Sequence, residues 1–332
     1  MLIDLVTGGH GFVGQHVVTL LRQRGRSVRV LDLRPPARDA DPAVEHLRGS
    51  ITDRAAVWRA LDGVERVFHL AAVPELWARD KDIFDRVNRV GTECLLEGVR
   101  RHGQIQRFVY TSSEVVLLPA DPRRTVDPLT EAAVYPPEEL IGAYARSKRA
   151  GERAVLDAAA RELSATVVIP TVPIGPGDTA PTPPTRMLND LLRGQMPAYP
   201  DVWIDIVDVR DAALGHLLAA DRGASGTRYL LAGHSLRMGD FLACVARSAG
   251  VAAPRFIIPN AAAIAYAHLD TFIADISGRP PRAPRDGARI AARMRSCDPR
   301  RAQTCLGFEP RALDDTVDAA VASLRPMPDA KP

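Results

Sequence analysis

Three glycines near the start of the chain constrain its fold more than any other feature. They occupy positions 8, 11 and 14 in the run TGGHGFVG, which spans residues 7–14 and separates a short apolar segment from an apolar helical pattern. Glycine is required where a backbone turns sharply and approaches a pyrophosphate closely, and the helix that follows offers unpaired N–H groups to the phosphates. The order of strand, glycine turn and helix therefore predicts a dinucleotide-binding unit.

Strand and helix patterns alternate through the first two thirds of the chain. The predicted strands are Leu2–Thr7, Ser27–Asp32, Arg66–Ala71, Phe108–Ser113 and Thr166–Pro170, and the predicted helices are His16–Arg24, Arg54–Leu61, Asp82–His102 and Tyr144–Leu163. Such alternation implies right-handed crossovers. The fold class predicted is α/β, with a doubly wound parallel sheet of the Rossmann type covered by helices on both faces.

The pattern loosens after Pro170, where residues 173–184 are rich in proline and threonine and predict a loop. Shorter helices and strands follow at Arg186–Arg193, Val209–Ala220, Tyr229–Leu231, Gly239–Ala249 and Ala312–Leu324. We predict a nucleotide-binding domain at 1–172, to which 205–235 returns. Residues 173–204 and 236–325 would form a small mixed α/β substrate lobe, and 326–332 a tail.

Composition excludes several classes of protein. Hydrophobic residues make up 46% and charged residues 25% of the chain, which argues against disorder and coiled coil. The formal charge is only +3 with basic residues spread along the sequence, so no nucleic-acid partner is expected. No apolar run approaches the ~18–20 residues of a membrane span, and the four cysteines lack the spacing of metal ligands. We predict a cytoplasmic protein without a metal site.

Asp32 ends the second predicted strand, where a carboxylate accepts hydrogen bonds from the ribose of a dinucleotide. The same charge repels a 2′-phosphate, so NAD is the predicted cofactor and NADP the less favoured one. Arg34 is the feature that would favour NADP, because a guanidinium pairs with phosphate.

Tyr144 and Lys148 lie four residues apart on a predicted helix, so both side chains share one face. A neighbouring ammonium favours the phenolate, and the phenol can then exchange a proton with a substrate oxygen while a nicotinamide moves hydride. A third partner is expected from the hydroxyl run Thr111–Ser113 at a strand end. At least two of these three hydroxyls would serve as ordinary strand-end caps.

These features together resemble the extended short-chain dehydrogenase/reductase superfamily, in its NAD-dependent epimerase/dehydratase group. The resemblance spans nearly the whole chain, and its motifs are residues 7–14, 68–72, Asn88 with 91–92, 111–113, Tyr144 with Lys148, Pro170, 208–211 and 306–310. Residues 172–176 and 181–183 look most like the hopanoid-associated sugar epimerase branch. The dihydroflavonol reductase and 3β-hydroxysteroid dehydrogenase branches are near relatives.

The resemblance implies a role for each matching residue. Ser113 would orient the reacting oxygen, Tyr144 would be the acid-base, and Lys148 would bind the ribose and lower the pKa of the tyrosine. The residues implied to contact the cofactor are Gly8, Gly11, Phe12, Val13, Asp32, Ser50, Ile51, Leu70, Ala71, Ala72, Tyr144, Lys148, Pro170 and Val172. Relatives also imply a homodimer formed through the helices Asp82–His102 and Tyr144–Leu163.

Two departures from the family pattern narrow the chemistry. Glu114 follows Ser113 where sugar-nucleotide dehydratases carry a Thr-Asp-Glu run, so 4,6-dehydration is not expected. Val202–Asp205 is apolar and acidic where sugar-nucleotide epimerases place an arginine, so Asp205 would repel a diphosphate. Trp203 would then either contact a more apolar ligand or pack in the core of the lobe.

The predicted function is an NAD-dependent oxidoreductase that moves hydride between the nicotinamide and a secondary alcohol or ketone carbon of a small, weakly charged substrate. An epimerase, in which hydride leaves and returns without net redox change, is the alternative. A nucleotide-binding sensor without catalysis is a third possibility, which the intact set Ser113, Tyr144 and Lys148 argues against.

Overall fold

The structure is a computed structural model that describes residues 3–324, so the predicted tail at 326–332 lies outside the described residues. Its strands are β1 (Ile3–Thr7), β2 (Ser27–Asp32), β3 (Glu45–Arg48), β4 (Val64–His69), β5 (Arg107–Thr111), β6 (Ala165–Pro170), β7 (Val172–Ile174), β8 (Ala198–Pro200), β9 (Trp203–Asp208), β10 (Arg228–Leu231), β11 (His234–Arg237) and β12 (Phe256–Ile258). Its helices are α1 (Phe12–Gln23), α2 (Arg54–Leu61), α3 (Thr92–His102), α4 (Gly142–Ala159), α5 (Pro183–Leu192), α6 (Val209–Arg222), α7 (Met238–Ala249), α8 (Asn260–Ser277), α9 (Arg285–Ala291), α10 (Arg300–Leu306) and α11 (Leu313–Leu324).

Seven parallel strands form the main sheet in the order β3-β2-β1-β4-β5-β6-β10, which confirms the predicted doubly wound sheet. Helices α1 and α6 cover one face, and α2, α3 and α4 cover the other. The alternation of a strand explains both cores, because Leu5 of β1 packs toward α2–α4 and its neighbour Val6 packs toward α1 and α6. The strand order reverses between β1 and β4, because β2 and β3 are added on one side of β1 and the later strands on the other. Open α/β sheets bind ligands at such a point.

A smaller lobe is built from parts of the chain that follow β6. Strands β7, β9 and β11 form a small mixed sheet, and β8 pairs with β12. Helices α5, α7 and α11 enclose a separate apolar core with this sheet, which includes Ile174, Leu188, Phe241 and Val317. The expectation of a loop throughout 173–184 was wrong, because β7 covers its first residues and α5 begins at Pro183.

The predicted helix Asp82–His102 was also wrong as one uninterrupted α-helix. Residues Asp85–Gly91 form a π-helical turn, and the regular helix α3 begins only at Thr92. Turns of this kind insert one extra residue and occur often at functional sites. No helix of residues 3–324 has both the length and the apolar character needed to cross a membrane.

A buried ion pair network fixes the edge of the sheet opposite the strands' carboxyl ends. The fully buried Asp4 of β1 accepts two hydrogen bonds each from Arg26 (2.9 and 2.9 Å) and from Arg66 (2.8 and 2.6 Å). Burial alone would raise the pKa of Asp4, but the hydrogen bonds from both guanidinium groups hold it below its ordinary value.

Asp4→Asn should lower the free energy of unfolding by about 3 kcal/mol at pH 7, since two partly buried guanidinium groups lose the buried carboxylate between them. Because the pKa of Asp4 is lower in the folded state, its contribution is present at neutral pH and is lost as pH falls below about 4. Urea unfolding at several pH values measures this difference. Asp221→Asn is the matched control, because Asp221 pairs with Arg66 at the surface and should contribute less than about 1 kcal/mol.

Candidate active site

The glycine turn lies against the end of β4. Gly8 has a φ of +72°, and a Cβ there would lie 2.7 Å from the backbone nitrogen of Ala71. A Cβ on Gly14 would collide with the carbonyl oxygen of Gly8. Gly11 is the N-cap of α1, and its backbone nitrogen donates to the Gly8 oxygen at 3.0 Å. The turn therefore presents bare backbone and a helix N-terminus at the carboxyl edge of the sheet, which suits a pyrophosphate.

The structure brings the residues of the predicted cofactor site to this one edge. They lie at or just beyond the ends of β1, β2, β3, β4 and β6 and on the first turns of α1 and α4: Gly8, Gly11, Phe12, Val13, Asp32, Ser50, Ile51, Leu70, Ala71, Ala72, Tyr144, Lys148, Pro170 and Val172. The Ile51 side chain is buried against Gly91.

Asp32 holds the glycine turn as well as its own loop. Its Oδ2 accepts a hydrogen bond from the backbone of His10 at 3.0 Å, and its Oδ1 accepts one from the backbone of Arg34 at 2.9 Å. The half-exposed Arg34 guanidinium lies 3.9 Å from Asp32, and the His10 ring bridges the Arg34 carbonyl and the His46 ring. The pocket therefore places the Asp32 carboxylate, which suits ribose hydroxyls, beside the Arg34 guanidinium, which suits a phosphate.

Each hydroxyl of the run at the end of β5 has a different partner. Thr111 Oγ1 lies 2.8 Å from Nε2 of the buried His216, and Ser112 donates to the buried Glu152 at 2.5 Å. Ser113 lies next to the Tyr144 phenol, close enough to act toward a lower pKa of that phenol. Thr111 and Ser112 thus bond to His216 and Glu152, and Ser113 is the one of the three that lies next to Tyr144.

Burial sets the protonation of the tyrosine and the lysine. It raises the pKa of Tyr144 to about 12, and the neighbouring Ser113 hydroxyl offsets this only in part. Burial also lowers the pKa of Lys148 to about 7. The Lys148 amine donates to the Thr111 carbonyl at 2.6 Å and lies 4.5 Å above the Tyr110 ring. The lowering of the Tyr144 pKa by Lys148, as the resemblance implies, stays a prediction.

A buried chain of hydrogen bonds links the glycine turn to α4. The Thr92 hydroxyl donates to the Asn88 carbonyl at 2.7 Å, so its oxygen accepts from Nε2 of His69 at 2.9 Å. The other nitrogen of His69 then accepts from the Thr7 hydroxyl at 2.7 Å. This neutral tautomer fits burial, which lowers the pKa of His69 to about 3. The chain ends where the Asn88 amide donates to the Ser147 hydroxyl at 3.0 Å, next to Lys148.

A buried acidic pair lies beside the site and was not foreseen from the sequence. Glu114 and Asp205 come together with the Cys297 thiol, their ligand-type atoms all within 4.8 Å of one another. Asp205 Oδ1 accepts from the Ser235 hydroxyl and from the Cys297 backbone. Within residues 3–324, Glu114 Oε2 and Asp205 Oδ2 are buried without a hydrogen-bond partner. Protonation of one of the two acids would lower the cost of burying them together.

Burial supports this protonated state of the pair. It raises the pKa of Glu114 well above its ordinary value, with the Asp205 charge adding to the effect, and it raises the pKa of Asp205 to about 6. The charge of Glu114 also acts to raise the pKa of Tyr144. Both shifts favour the protonated form of the acidic pair.

The expected role of Asp205 in repelling a ligand was wrong, because its carboxylate is buried and turned toward Glu114 rather than toward solvent. Val202 and Ile204 are buried in the core of the lobe. Trp203 is half-buried against the main core, with the Arg237 guanidinium 5.4 Å above its ring. The apolar character of this segment thus serves packing first.

A cavity of about 260 Å³ adjoins Tyr144 and is covered by α8 and α9. The Phe84 ring in its wall lies 6.4 Å from the Tyr144 ring, and Gly142 and Ala143 of the same wall directly precede that tyrosine. Its apolar lining comes from Leu76, Trp77 and Phe84. Its charged lining comes from Lys81, Arg146, Arg285, Arg289 and Asp286, and Asp286 lies 3.7 Å from Arg285 and 3.8 Å from Arg289. A molecule with an apolar body and one anionic or polar group would find partners in both kinds of lining.

A glycine turn at the switch point of a parallel sheet, with a half-buried serine and tyrosine and a buried lysine beside it, is the arrangement of an NAD-dependent oxidoreductase or epimerase. The family model described as "NAD dependent epimerase/dehydratase family" matches residues 5–232. The chain belongs to this family.

Individual relatives agree with this assignment over most of the chain. A protein of Synechocystis sp., provisionally named dihydroflavonol 4-reductase, is 34% identical over 324 residues, which is 95% of this chain and 92% of the relative. Sterol demethylase protein B of Methylococcus capsulatus is 35% identical over 261 residues, 78% of each chain. The crystal structure of gox2253 superposes with a TM-score of 0.82 at 33% identity and covers 97% of both chains.

Glu114→Gln should stabilise the protein relative to wild type as pH rises. The pKa of Glu114 is raised in the folded state, so its favourable contribution is complete at acid pH and is lost as pH rises above about 4.5. The glutamine amide can still donate to Asp205 and does not titrate. Urea unfolding from pH 5 to pH 8 should show the variant gaining up to about 1 kcal/mol per pH unit.

Glu114→Ala is the control for this effect, because it leaves the Asp205 oxygen without a donor and should cost about 1–3 kcal/mol at pH 5. A Glu114→Gln variant that follows the wild-type pH dependence would show that Glu114 is ionised.

Proposed function

We propose that the protein is an NAD-dependent oxidoreductase that interconverts a secondary alcohol and a ketone on a small, largely apolar and weakly charged substrate. The observation that carries the proposal is that the half-buried Ser113 and Tyr144 side chains lie next to each other, beside the buried Lys148 and at the same edge as the glycine turn.

The chain's own residues suit a dinucleotide and a proton transfer. Side chains at Gly8 or Gly14 would fill the backbone cradle, and the N-terminus of α1 would hold the phosphates. The dinucleotide, when bound, supplies or accepts the hydride. Ser113 would orient the substrate oxygen, and Tyr144, protonated at neutral pH, would donate a proton to that oxygen in the direction of ketone reduction. Lys148 would bind the ribose.

The cavity beside Tyr144 supports an apolar substrate. Aromatic and aliphatic side chains line it together with four cations, two of which lie beside Asp286, so an alicyclic or aromatic ketone with no more than one anionic group fits its chemistry. Two relatives, named as a dihydroflavonol reductase and a sterol demethylase protein, have names that point to polycyclic substrates.

An epimerase remains the alternative, since the family description includes that activity and the same Tyr144 and Ser113 would serve it. The two differ in cofactor stoichiometry. A substrate that yields net NADH supports the oxidoreductase, and turnover without net change in cofactor absorbance supports the epimerase.

The cellular location and the oligomeric state stay predictions from the sequence. We propose a cytoplasmic location, and a homodimer formed through the surfaces of α3 and α4. Val90, on the turn before α3, is an apolar side chain exposed on that surface.

Tyr144→Phe should lower turnover at least about a hundredfold while the Kd for NAD stays within about twofold of wild type, because the ring is kept and only the proton donor is lost. Steady-state rates and calorimetric titration with NAD measure the two effects. Tyr135→Phe is the control, since the Tyr135 hydroxyl donates to the Arg124 carbonyl away from the site. Wild-type turnover in Tyr144→Phe would remove the acid-base role.

Asp32→Ala should weaken NAD binding at least about tenfold and raise the ratio of NADP affinity to NAD affinity, because an acceptor for the ribose and a repulsive charge are both lost. Arg34→Ala should move this ratio in the opposite direction. Since Asp32 also holds the His10 backbone, an equal loss of affinity for both cofactors would show that it acts only by fixing the turn.

A further inference from the structure

A large apolar surface covers one side of the substrate lobe. It consists of Phe256 and Ile257 of β12 and Tyr266, Leu269, Phe272, Ile273 and Ile276 of α8, and is called the α8 face below. These side chains are 53–73% exposed, and they are seven of the eleven large apolar residues that are exposed within residues 3–324. Apolar surface concentrated in this way marks a site of interaction.

The orientation of α8 explains why its apolar side chains face outward. Only Ala267, Thr271 and Ala274 are buried, and their spacing places them on one narrow stripe toward the molecule. The helix carries no lysine or arginine, and Asp275 is engaged by the Trp77 indole at 2.8 Å and the Lys81 amine at 3.0 Å. The outer surface of α8 is thus large, apolar and almost uncharged.

Cations border this surface at both ends. Arg255 directly precedes Phe256, and Arg279 and Arg282 follow the last turn of α8. The Arg79 guanidinium lies beside Gly278, the C-cap of the helix. All four arginines are exposed, and among the described residues none has a carboxylate within ion-pair distance. An apolar face with an unneutralised cationic border is complementary to a bilayer that contains anionic lipids.

We propose that the α8 face is a membrane-docking surface, which inserts its apolar side chains at the boundary between headgroups and acyl chains while the arginines contact lipid phosphates. A second copy of the chain is a poorer occupant, because a two-fold contact through this face would bring the cationic borders of both copies together.

The cavity beside Tyr144 lies against the inner side of α8. Thr271, on the inner stripe of α8, lines the cavity together with Trp77 and Phe84. A bilayer on the outer side of α8 would therefore lie one helix away from the cavity beside Tyr144, and an apolar substrate could pass from lipid to enzyme. This last step rests on the proposed function, whereas the docking itself does not.

Vesicle co-sedimentation of the full chain tests the proposal. Wild type should bind phosphatidylcholine vesicles that contain phosphatidylglycerol, and bind pure phosphatidylcholine more weakly. The double variant Phe272→Ser with Ile276→Ser should lower the partition coefficient at least about tenfold on both vesicles. Each substitution removes a large apolar side chain that would be buried in the bilayer. Arg279→Gln with Arg282→Gln should lower binding only to the anionic vesicles.

Matched controls separate docking from folding and from catalysis. Val134→Ser removes an exposed apolar side chain elsewhere and should bind as wild type. Tyr144→Phe should also bind as wild type, so a failure of the proposed chemistry leaves the docking result intact. Equal thermal midpoints of the variants show that the fold is kept.

Two results would overturn the proposal. One is wild-type protein that stays in the supernatant with both vesicles. The other is a dimer, observed by sedimentation velocity, that the Phe272→Ser and Ile276→Ser variant converts to monomer, since the face would then be covered by a second copy.

Discussion

The hydrogen-bond chain from Thr7 through His69 and Thr92 to Asn88 is the interaction on which the arrangement of the site depends. It joins the ends of β1 and β4 to the π-helical turn and then, through Ser147, to α4. Because its members are buried, each donor and acceptor must be satisfied, and a shift of one element would leave a partner unpaired. The chain thereby fixes the glycine turn relative to the tyrosine and the lysine.

Burial, more than charge, determines the chemistry beside this chain. Removal from water raises the pKa of Tyr144 and of Glu114 and lowers the pKa of Lys148, so all three side chains tend toward their neutral forms. The same trend continues outward, since the lobe over the cavity ends in the apolar α8 face.

Much of the fold could be predicted because its signals are local. The glycine turn, the apolar strands and the Tyr144–Lys148 spacing each act over a few residues, and they sufficed for the doubly wound sheet and for the edge at which the site lies. The π-helical turn Asp85–Gly91 escaped prediction because Asn88 is oriented by Val73 and Ser147, which are distant in sequence. Strand β3 escaped because its four residues lie at the edge of the sheet and carry no alternating apolar pattern.

The sequence by itself determined the family, the sheet and the residue types at the site, since glycine conformation, strand alternation and helical spacing depend on neighbours along the chain. Only the tertiary structure decided that Ser113, rather than Thr111 or Ser112, meets Tyr144, because His216 and Glu152 engage the other two hydroxyls. It also decided that Asp205 turns inward to Glu114 and that α8 turns its apolar side outward. These outcomes depend on which elements pack together and on how much water the packing excludes. No short stretch of sequence determines either.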